Sequence, residues 1–555
     1  MLQTRRIILI VALVFGMALA SPFAMNGVQP VKAAGGTLIL GTTDSIPLLD
    51  PADTYEYFSS NTLVQLTHGL YEMPRNGTQA EPVVASGVSV SSDGLTYTFT
   101  LKSGLKFTDG SAMRVEDVIW SLKRAENLPG DPAFLLAGIV NTSYIKISDT
   151  SFSLKLSEPD GTFLQRLTYT NAWIFKEQDN ITSSLQGAGY IPIGLGPYYV
   201  SSWTQNEQIV LEKSKYYSAS ALGQPEPAND KVIIQFFTSS SNLKTAIEGG
   251  TIDVAFHSFT PDEIKALEGN SDLQHASAPT VGIRYLVINV DSITSKDVRD
   301  AIEYAVNRTD FTQSIFSGTN DPLYSMVPAG FANACHEGDD CAFPDSPNQN
   351  QVSTLMTKAG YSSTNKFPFE MWFDNSGHYG DTEDNVANLM KIQLEDTGFF
   401  NVTLKSTDWA TYKQQWGSMP AFLLGWWFDY PDESNYIDPF VGGGAFDLGT
   451  NYSSTTMNGY INTMLQSSDA SARATAQKAA QKLMAEDAPV IPLFTMIKQF
   501  VVYAKGVSGV VLEPSENMHF DSFSKSASAP GFEFYLLLMA IPIVYSIRKF
   551  NRKRK

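Results

Sequence analysis

Strand-like and helix-like segments alternate along most of the interior of this 555-residue chain. In segment 95–101 apolar and polar residues alternate strictly, which is typical of a strand with one buried face. Between Val115 and Leu122 the apolar residues instead recur at helical spacing. Regular alternation of this kind predicts an α/β protein, and the length allows two or three domains.

The same periodicities predict the other elements. Further strands are expected at 37–40, 152–156, 208–211 and 231–237, and further helices at 243–248, 298–306 and 384–395. A hydrophobic content of 43% with 17% charged residues indicates an ordered globular protein. The net charge of -18 argues against a nucleic-acid partner, because phosphate binding needs clustered lysine and arginine.

Both ends of the chain suggest export. Arg5 and Arg6 precede the apolar run 7–20, and small residues follow, so 1–34 is predicted to be a signal peptide. At the other end an apolar stretch, 531–547, is followed at once by the basic cluster 548–555. This order predicts a transmembrane anchor with a basic cytoplasmic tail, preceded by a Ser-rich stalk at 515–530.

The start of that apolar stretch leaves an alternative open. Pro530-Gly531-Phe532 resembles archaeal C-terminal sorting tails, in which the helix is removed and replaced by a lipid. A buried C-terminal core helix is a third interpretation. With either form of anchor, the bulk of the chain is expected at the extracellular face of the cell membrane.

The chain has two cysteines, Cys335 and Cys341, which enclose a short polar segment. Outside the cytoplasm such a close pair is expected to form a disulfide. A metal site is the alternative, since His336 and three acidic residues lie between the cysteines, but the spacing matches no zinc template. No metal or other cofactor is therefore predicted.

Several short motifs follow one another in a fixed order along the chain. They are GLKFTDG at 104–110, VEDV at 115–118 with WSLKR at 120–124, GPYYV at 196–200, IEGGTIDV at 247–254, DVR at 297–299 and GWWFDYPD at 425–432. In this combination the chain resembles family 5 of the bacterial and archaeal extracellular solute-binding proteins, which serve peptide and nickel ABC transporters. The resemblance covers almost the whole predicted exported part.

This resemblance implies a type II, two-lobed periplasmic-binding-protein-like fold with an extra inserted domain. Lobe I would comprise 36–70, 186–277 and 490–525, the insert 71–185, and lobe II 278–489. The lobes would close on a ligand about hinges near 277 and 490.

The resemblance also implies a non-enzymatic function. The chain would be the substrate-binding component of an ABC importer, capturing di- or oligopeptides and delivering them to a membrane permease. Another solute, a nickel chelate or an oligosaccharide, is the alternative within this class. An extracellular hydrolase and a surface-structural protein are alternatives from other classes, although the Ser-x-x-Lys matches at 103–106 and 241–244 lack the companion motifs of a hydrolase.

Asp429 is the leading candidate for a ligand contact. In peptide-binding relatives an Asp in this motif pairs with the ligand's α-amino group, and a carboxylate in a closing cleft is suited to hold an ammonium. The alternative is a turn cap beside Tyr430-Pro431. Of Trp426 and Trp427, at most one should form a flat wall for the ligand, because adjacent residues on a strand face opposite ways.

The remaining candidates also come from the resemblance. Trp409 and His378 fall where relatives line the ligand pocket. Thr43, with Thr42 beside it, and Tyr57 lie after the first strand, in a segment that borders the cleft in relatives. Oligopeptide relatives can carry an Arg six residues before the motif Asp for a ligand carboxylate. This chain has Leu423 there, which leaves the ligand length and class open.

Overall fold

Two large β-sheets, one in each of two lobes, organise the chain. The computed structural model describes residues 36–256, 259–344, 347–380, 382–443, 448–467 and 469–525. The strands in chain order are β1 (Thr37–Thr42), β2 (Tyr71–Glu72), β3 (Glu81–Pro82), β4 (Ala85–Val90), β5 (Thr96–Leu101), β6 (Ile145–Ser148), β7 (Ser151–Lys155), β8 (Tyr198–Thr204), β9 (Gln208–Lys213), β10 (Lys231–Phe236), β11 (Val254–Phe256), β12 (Leu273–Ala278), β13 (Ile283–Ile288), β14 (Phe367–Asp374), β15 (Phe400–Thr407), β16 (Ala421–Trp426), β17 (Val490–Thr495), β18 (Gln499–Ala504), β19 (Val507–Ser508) and β20 (Ser524–Lys525).

Helices connect and cover these strands. In chain order they are α1 (Tyr57–Leu66), α2 (Val115–Asn127), α3 (Phe163–Arg166), α4 (Ala219–Leu222), α5 (Ser240–Glu248), α6 (Pro261–Glu268), α7 (Lys296–Ala305), α8 (Arg308–Asp310), α9 (Gln349–Lys358), α10 (Glu383–Asp396), α11 (Trp409–Gln415), α12 (Asp438–Val441), α13 (Thr455–Gln466) and α14 (Ala470–Asp487). Short 3₁₀ turns lie at Asp131–Leu136, Asn141–Ser143, Thr170–Ala172, Asp179–Ile181, Trp416–Ser418 and Glu433–Tyr436, and a π turn at Phe311–Ile315. The strands and helices predicted from periodicity are confirmed within a few residues of their expected bounds.

The first sheet forms the core of the first lobe. Its strand order is β12-β18-β11-β1-β10-β9-β8, and β1 lies in parallel between β10 and β11. Leu38 and Leu40 of β1 are completely buried on one face, among apolar residues of β8, β9 and α1. Parallel strands require crossover connections, and α5 supplies the one that leads from β10 past β1 to β11.

The second sheet has the order β15-β14-β16-β13-β17. Every residue of its interior strand β13 is buried, because helices cover both faces of the sheet. Leu286 and Ile288 pack into one core beneath α7 and α10, whereas Tyr285 and Val287 pack into the other beneath α13 and α14. This arrangement makes the second lobe a three-layered unit.

The inserted domain consists of an antiparallel sheet, β4-β5-β7-β6, covered by α2. The strict alternation in β5 places Tyr97, Phe99 and Leu101 in its core. The predicted insert, 71–185, contains all of these elements.

The chain passes between the two large sheets in two neighbouring segments. The first crossing, 279–282, joins β12 to β13, and the second crossing, 496–498, joins β17 to β18. The two are hydrogen-bonded, because the Met496 N–H donates to the Gly282 carbonyl at 2.8 Å. The expected boundary at 490 is displaced, since β17 pairs with β13 and belongs to the second sheet.

Two expectations for the C-terminal part need correction. Residues up to 525 do not form a stalk, because Met518, Phe520 and Phe523 are buried in the core of the first lobe. No helix within the described residues combines the length and apolarity needed to cross a membrane. The expected fold class is corrected accordingly to a two-lobed α/β fold, because the described residues include no membrane-spanning helix.

Several predicted segments lie outside the residues that the structure describes. These are the predicted signal peptide at 1–34, the anchor at 531–547 and the basic tail at 548–555.

A buried ion pair fastens the first lobe to the insert. The Arg124 guanidinium on α2 donates to both Asp50 carboxylate oxygens at 2.5 and 2.6 Å, and to the Ile181 and Ser184 carbonyls at 3.0 and 2.7 Å. Asp50 is completely buried, and only 4% of Arg124 is exposed. Such a pair adds little stability compared with apolar side chains of similar volume. Removing one partner, however, leaves the other charge buried and unpaired.

Arg124→Met is therefore expected to lower the free energy of unfolding by about 3–5 kcal/mol, because the Asp50 carboxylate keeps its burial and loses its cation. Urea unfolding followed by circular dichroism measures this loss. The matched control is Lys155→Met on an exposed position of the same domain, expected within about 0.5 kcal/mol of the wild type. A loss below about 1 kcal/mol for Arg124→Met would contradict the assignment.

Candidate functional site

Asp429 lies where the two lobes meet. It follows β16 in the second lobe and is only 7% exposed. The hydroxyl of Tyr55, from the first lobe, donates to Asp429 Oδ1. On its own lobe, Asn435 Nδ2 donates to Asp429 Oδ2 at 3.2 Å, and Asn435 Oδ1 accepts from the Asp429 N–H at 2.8 Å. The carboxylate is thus held between a phenol and an amide.

Among the residues that the structure describes, no cation balances the charge of this carboxylate. Within the described residues, no lysine, arginine or histidine forms a salt bridge with Asp429. Burial raises the pKa of Asp429 to about 6, and the hydrogen bonds from Tyr55 and Asn435 offset part of that rise. A buried carboxylate with only neutral partners is costly to keep ionised, which makes the position receptive to a positively charged group.

Aromatic side chains surround Tyr55. Its ring meets Phe134 edge-on at 5.9 Å and Tyr169 at a tilt, also at 5.9 Å. Phe134 is 50% exposed and Tyr55 37% exposed, although both are large apolar rings. An amphipathic aromatic wall beside a buried carboxylate is typical of a small-ligand site. Tyr55, Phe134, Tyr169 and Asn435 were not singled out from the sequence, since no motif marks them.

The two neighbouring tryptophans have different surroundings. The Trp426 indole N–H donates to the Asn435 carbonyl at 3.0 Å, and its ring packs edge-on against Phe440, so Trp426 braces the loop that carries Asp429. Trp427 is 40% exposed and lies over the first crossing. A methyl group at Gly282 would come within 2.7 Å of Trp427 Nε1. Trp426 is the last residue of β16 and Trp427 lies beyond it, so the two indoles have different neighbours.

His378 and Trp409 form a second group. Their rings stack at 3.7 Å with an interplanar angle of 9°. Partial burial against the indole lowers the pKa of His378 to about 4, so its ring is neutral at pH 7. The adjacent Tyr379 hydroxyl accepts a hydrogen bond from the Gly425 N–H at 2.9 Å, which joins this group to the end of β16.

The other predicted contacts are dispersed. Thr43 Oγ1 is buried, and among the described residues it has no hydrogen-bond partner. The neighbouring Thr42 hydroxyl donates to Asp44 at 3.1 Å. The Tyr57 hydroxyl donates to the Glu516 carbonyl at 2.5 Å within the first lobe. Leu423, at the position where relatives can carry an Arg, is buried opposite Leu286 in the second sheet.

Cys335 and Cys341 are joined by a disulfide in the second lobe. Among the described residues there is no group of three or more His, Cys, Asp and Glu arranged to hold a metal ion. Of the two Ser-x-x-Lys matches, the one in α5 is exposed at Ser241, and its Lys244 pairs with Glu248 at 2.8 Å.

Comparison with known proteins gives a consistent picture. A family model described as "Bacterial extracellular solute-binding proteins, family 5 Middle" matches residues 79–447. The glutathione-binding protein GsiB of Salmonella paratyphi A is 23% identical over 502 residues, which cover 88% of this chain and 94% of that protein.

Solved structures share the fold. The periplasmic binding protein DppA of Helicobacter pylori, in complex with the peptide STSA, superposes with a TM-score of 0.74 at 20% identity, covering 89% of this chain and 99% of that one. NikZ of Campylobacter jejuni, in complex with Ni(L-His), superposes with a TM-score of 0.72 at 17% identity, covering 88% and 99%.

The pKa of Asp429 gives a test that needs no ligand. In the unfolded chain this carboxyl ionises near its ordinary value of 3.8, whereas in the folded chain it stays protonated up to about pH 6. Its contribution to stability is therefore present below the unfolded pKa and is lost as the pH rises through the folded one. The difference between the two pKa values corresponds to about 3 kcal/mol.

Relative to Asp429→Asn, which cannot titrate, the ligand-free wild type is expected to lose roughly that amount of unfolding free energy between pH 4 and 7. Urea unfolding of both proteins across this range measures the difference. A wild type and variant whose stabilities run parallel from pH 4 to 7 would show that Asp429 is not the buried, cation-free carboxylate described here.

Proposed function

Because the chain belongs to the family of bacterial extracellular solute-binding proteins, family 5, we propose that it is the solute-capturing component of an ABC importer. Its solute is a short peptide. The α-ammonium of that peptide binds the Asp429 carboxylate, the lobes close about the two crossings, and the loaded protein delivers the peptide to a membrane permease.

The observation that carries this proposal is the Asp429 carboxylate, buried between the lobes without a cation. An ammonium entering the cleft would supply the missing charge and replace neutral partners with a charge-assisted hydrogen bond. The gain is largest when the surroundings exclude water, as they do once both lobes contribute to the site. A peptide amino terminus is a positively charged group of suitable size.

The wall beside Asp429 supports the same class of ligand. Tyr55, Phe134 and Tyr169 offer apolar ring surface next to the anchor, which suits the side chain that follows an amino terminus. The stacked His378 and Trp409 provide a second flat surface near the end of β16.

The relatives also support a peptide. GsiB is named for glutathione, itself a small peptide, and the DppA structure contains the peptide STSA. The NikZ structure contains Ni(L-His), so the fold also accommodates a metal chelate. An oligosaccharide is the alternative solute that aromatic surfaces could bind, and the binding test includes all of these solutes.

Isothermal titration calorimetry on the purified protein should detect saturable binding of free peptides such as Ser-Thr-Ser-Ala. The same peptide with an acetylated amino terminus should bind at least 30-fold more weakly, because a buried charge pair that loses one partner costs roughly 2 kcal/mol or more. Asp429→Asn should weaken the free peptide to a similar degree and should barely change the binding of the acetylated one.

Asp396→Asn, an exposed substitution at the end of α10, is the matched control and should leave the dissociation constant unchanged. Glutathione, Ni(L-His) and maltooligosaccharides complete the panel. Binding of nickel chelate or sugar without any peptide binding would identify another solute within the same transport role. Equal affinity for free and acetylated peptides would remove Asp429 as the ammonium anchor.

A further inference from the structure

A second contact between the lobes lies at the rim of the cleft, away from Asp429. The loop 158–161 of the inserted domain reaches the end of α13 in the second lobe. There the Gly161 N–H donates to the Leu465 carbonyl at 2.6 Å, and Gln466 Nε2 donates to Glu158 Oε2 at 3.2 Å. One main-chain bond and one side-chain bond thus join the insert to the second lobe.

The rim contact depends on the absence of a side chain at Gly161. A methyl group at this position would lie 2.8 Å from Arg473 Nη1 and 2.9 Å from the Ser467 carbonyl. The loop is held in shape from its own side, because Asp160 Oδ1 accepts hydrogen bonds from the N–H and the hydroxyl of Thr162, both at 2.7 Å. A larger residue at 161 would therefore push the rim open.

Arg473 lies directly behind this contact. It projects from the first turn of α14, and its guanidinium donates both to the Met464 carbonyl, next to Leu465, and to the Asp432 carboxylate. Only 13% of its side chain and 7% of that of Asp432 are exposed. One guanidinium therefore contacts the rim with one nitrogen and the loop of the candidate site with the other.

Asp432 connects Arg473 to the loop that carries Asp429. Its other oxygen accepts hydrogen bonds from the Ser434 N–H at 3.0 Å and from the Ser434 hydroxyl at 2.6 Å. Ser434 directly precedes Asn435, which binds Asp429. The path from rim to anchor therefore consists of hydrogen bonds and two covalent steps, from Leu465 to Met464 and from Ser434 to Asn435.

We infer that Arg473 is a positioning residue that couples closure of the rim at Gly161 to the geometry of the loop carrying Asp429. The rim bonds to Leu465, and Arg473 holds the adjoining Met464 carbonyl together with Asp432. Closing the rim thus favours the arrangement in which Asn435 orients the Asp429 carboxylate. The coupling rests on the proposed function only for the identity of the ligand.

The first experiment uses no ligand. Small-angle X-ray scattering of the full chain compares the wild type with Gly161→Ala, Arg473→Met and Arg473→Lys. Gly161→Ala and Arg473→Met should both increase the radius of gyration. The first acts on the rim contact from the inserted domain, and the second acts on it from the second lobe. Arg473→Lys, which keeps the charge and one of the two hydrogen bonds, should fall between the wild type and Arg473→Met.

Gly87→Ala is the matched control. Gly87 is a glycine of the same inserted domain, and a methyl group there meets no atom within 4 Å. It should leave the scattering curve unchanged. The double variant with Gly161→Ala and Arg473→Met should open no further than the more open single variant, because both substitutions act on one contact.

The second experiment uses the peptide Ser-Thr-Ser-Ala as probe in stopped-flow measurements. Gly161→Ala, which touches neither Asp429 nor its loop, should raise the dissociation rate about tenfold, as expected for the loss of a cross-lobe hydrogen bond, with little change in the association rate. Arg473→Met should do the same, and Arg473→Lys should restore part of the loss.

Unchanged scattering for both Gly161→Ala and Arg473→Met would overturn the inference, as would additive effects in the double variant. If Arg473→Met fails to fold, Gly161→Ala and Arg473→Lys carry the test. If the wild type does not bind the peptide, the proposed ligand is wrong, and the scattering series alone decides whether Arg473 couples to the rim.

Discussion

The Asp429 carboxylate is buried between two lobes, and each lobe supplies one of its partners. Tyr55 comes from the first lobe and Asn435 from the second, so the complete environment exists only when the lobes are together. Both partners are neutral, so the burial that raises the pKa of Asp429 is not balanced by a nearby cation. The unmet charge makes an empty closed cleft less stable than one that holds a cationic group, and this difference gives a ligand a means of favouring closure.

In the proposed closure of the lobes, the two crossings would act as the hinge. They lie side by side and share a hydrogen bond between Met496 and Gly282, so a hinge at one crossing would involve the other. The C-terminal segment of the described chain braces the first of them: Glu516 Oε1 accepts hydrogen bonds from the Thr280 hydroxyl at 2.5 Å and from the Val281 N–H at 2.9 Å. This bracing explains why the residues around 516 are packed into the first lobe, where a stalk was expected.

The sequence predicts the regular elements well, because their periodicities are local. The predictions from sequence are wrong where a segment's place in the fold depends on residues far away in the chain. β17 is a continuous apolar run whose membership of the second sheet is decided by β13, some 200 residues earlier in the chain. The serines after 515 suggest an exposed stalk, but Met518, Phe520 and Phe523 among them fill the first core.

The candidate site shows the same limit. Asp429 was recognisable from a motif that the chain shares with a family. Its partner Tyr55, however, is 374 residues away in sequence and meets it only across the lobe interface. Local pattern therefore predicts Asp429 as a ligand contact but does not predict its partner from the other lobe.

Helix α14 shows how a distant element determines the geometry of the anchor. Arg473, Gln477 and Gln481 follow one another at intervals of four residues, so they share one face of the helix. That face is turned inward, and its polar groups are bonded: Arg473 to Asp432, Gln477 Nε2 to Glu433 Oε2 at 3.0 Å, and Gln481 Oε1 to the Cys335 N–H at 3.0 Å.

Buried polar groups that are fully bonded define a single arrangement, because each alternative position would leave a donor or acceptor unpaired. The loop that carries Asp429 and the loop closed by the disulfide are thereby held against the same helix. In the proposed closure, the second lobe would move as one body about the two crossings.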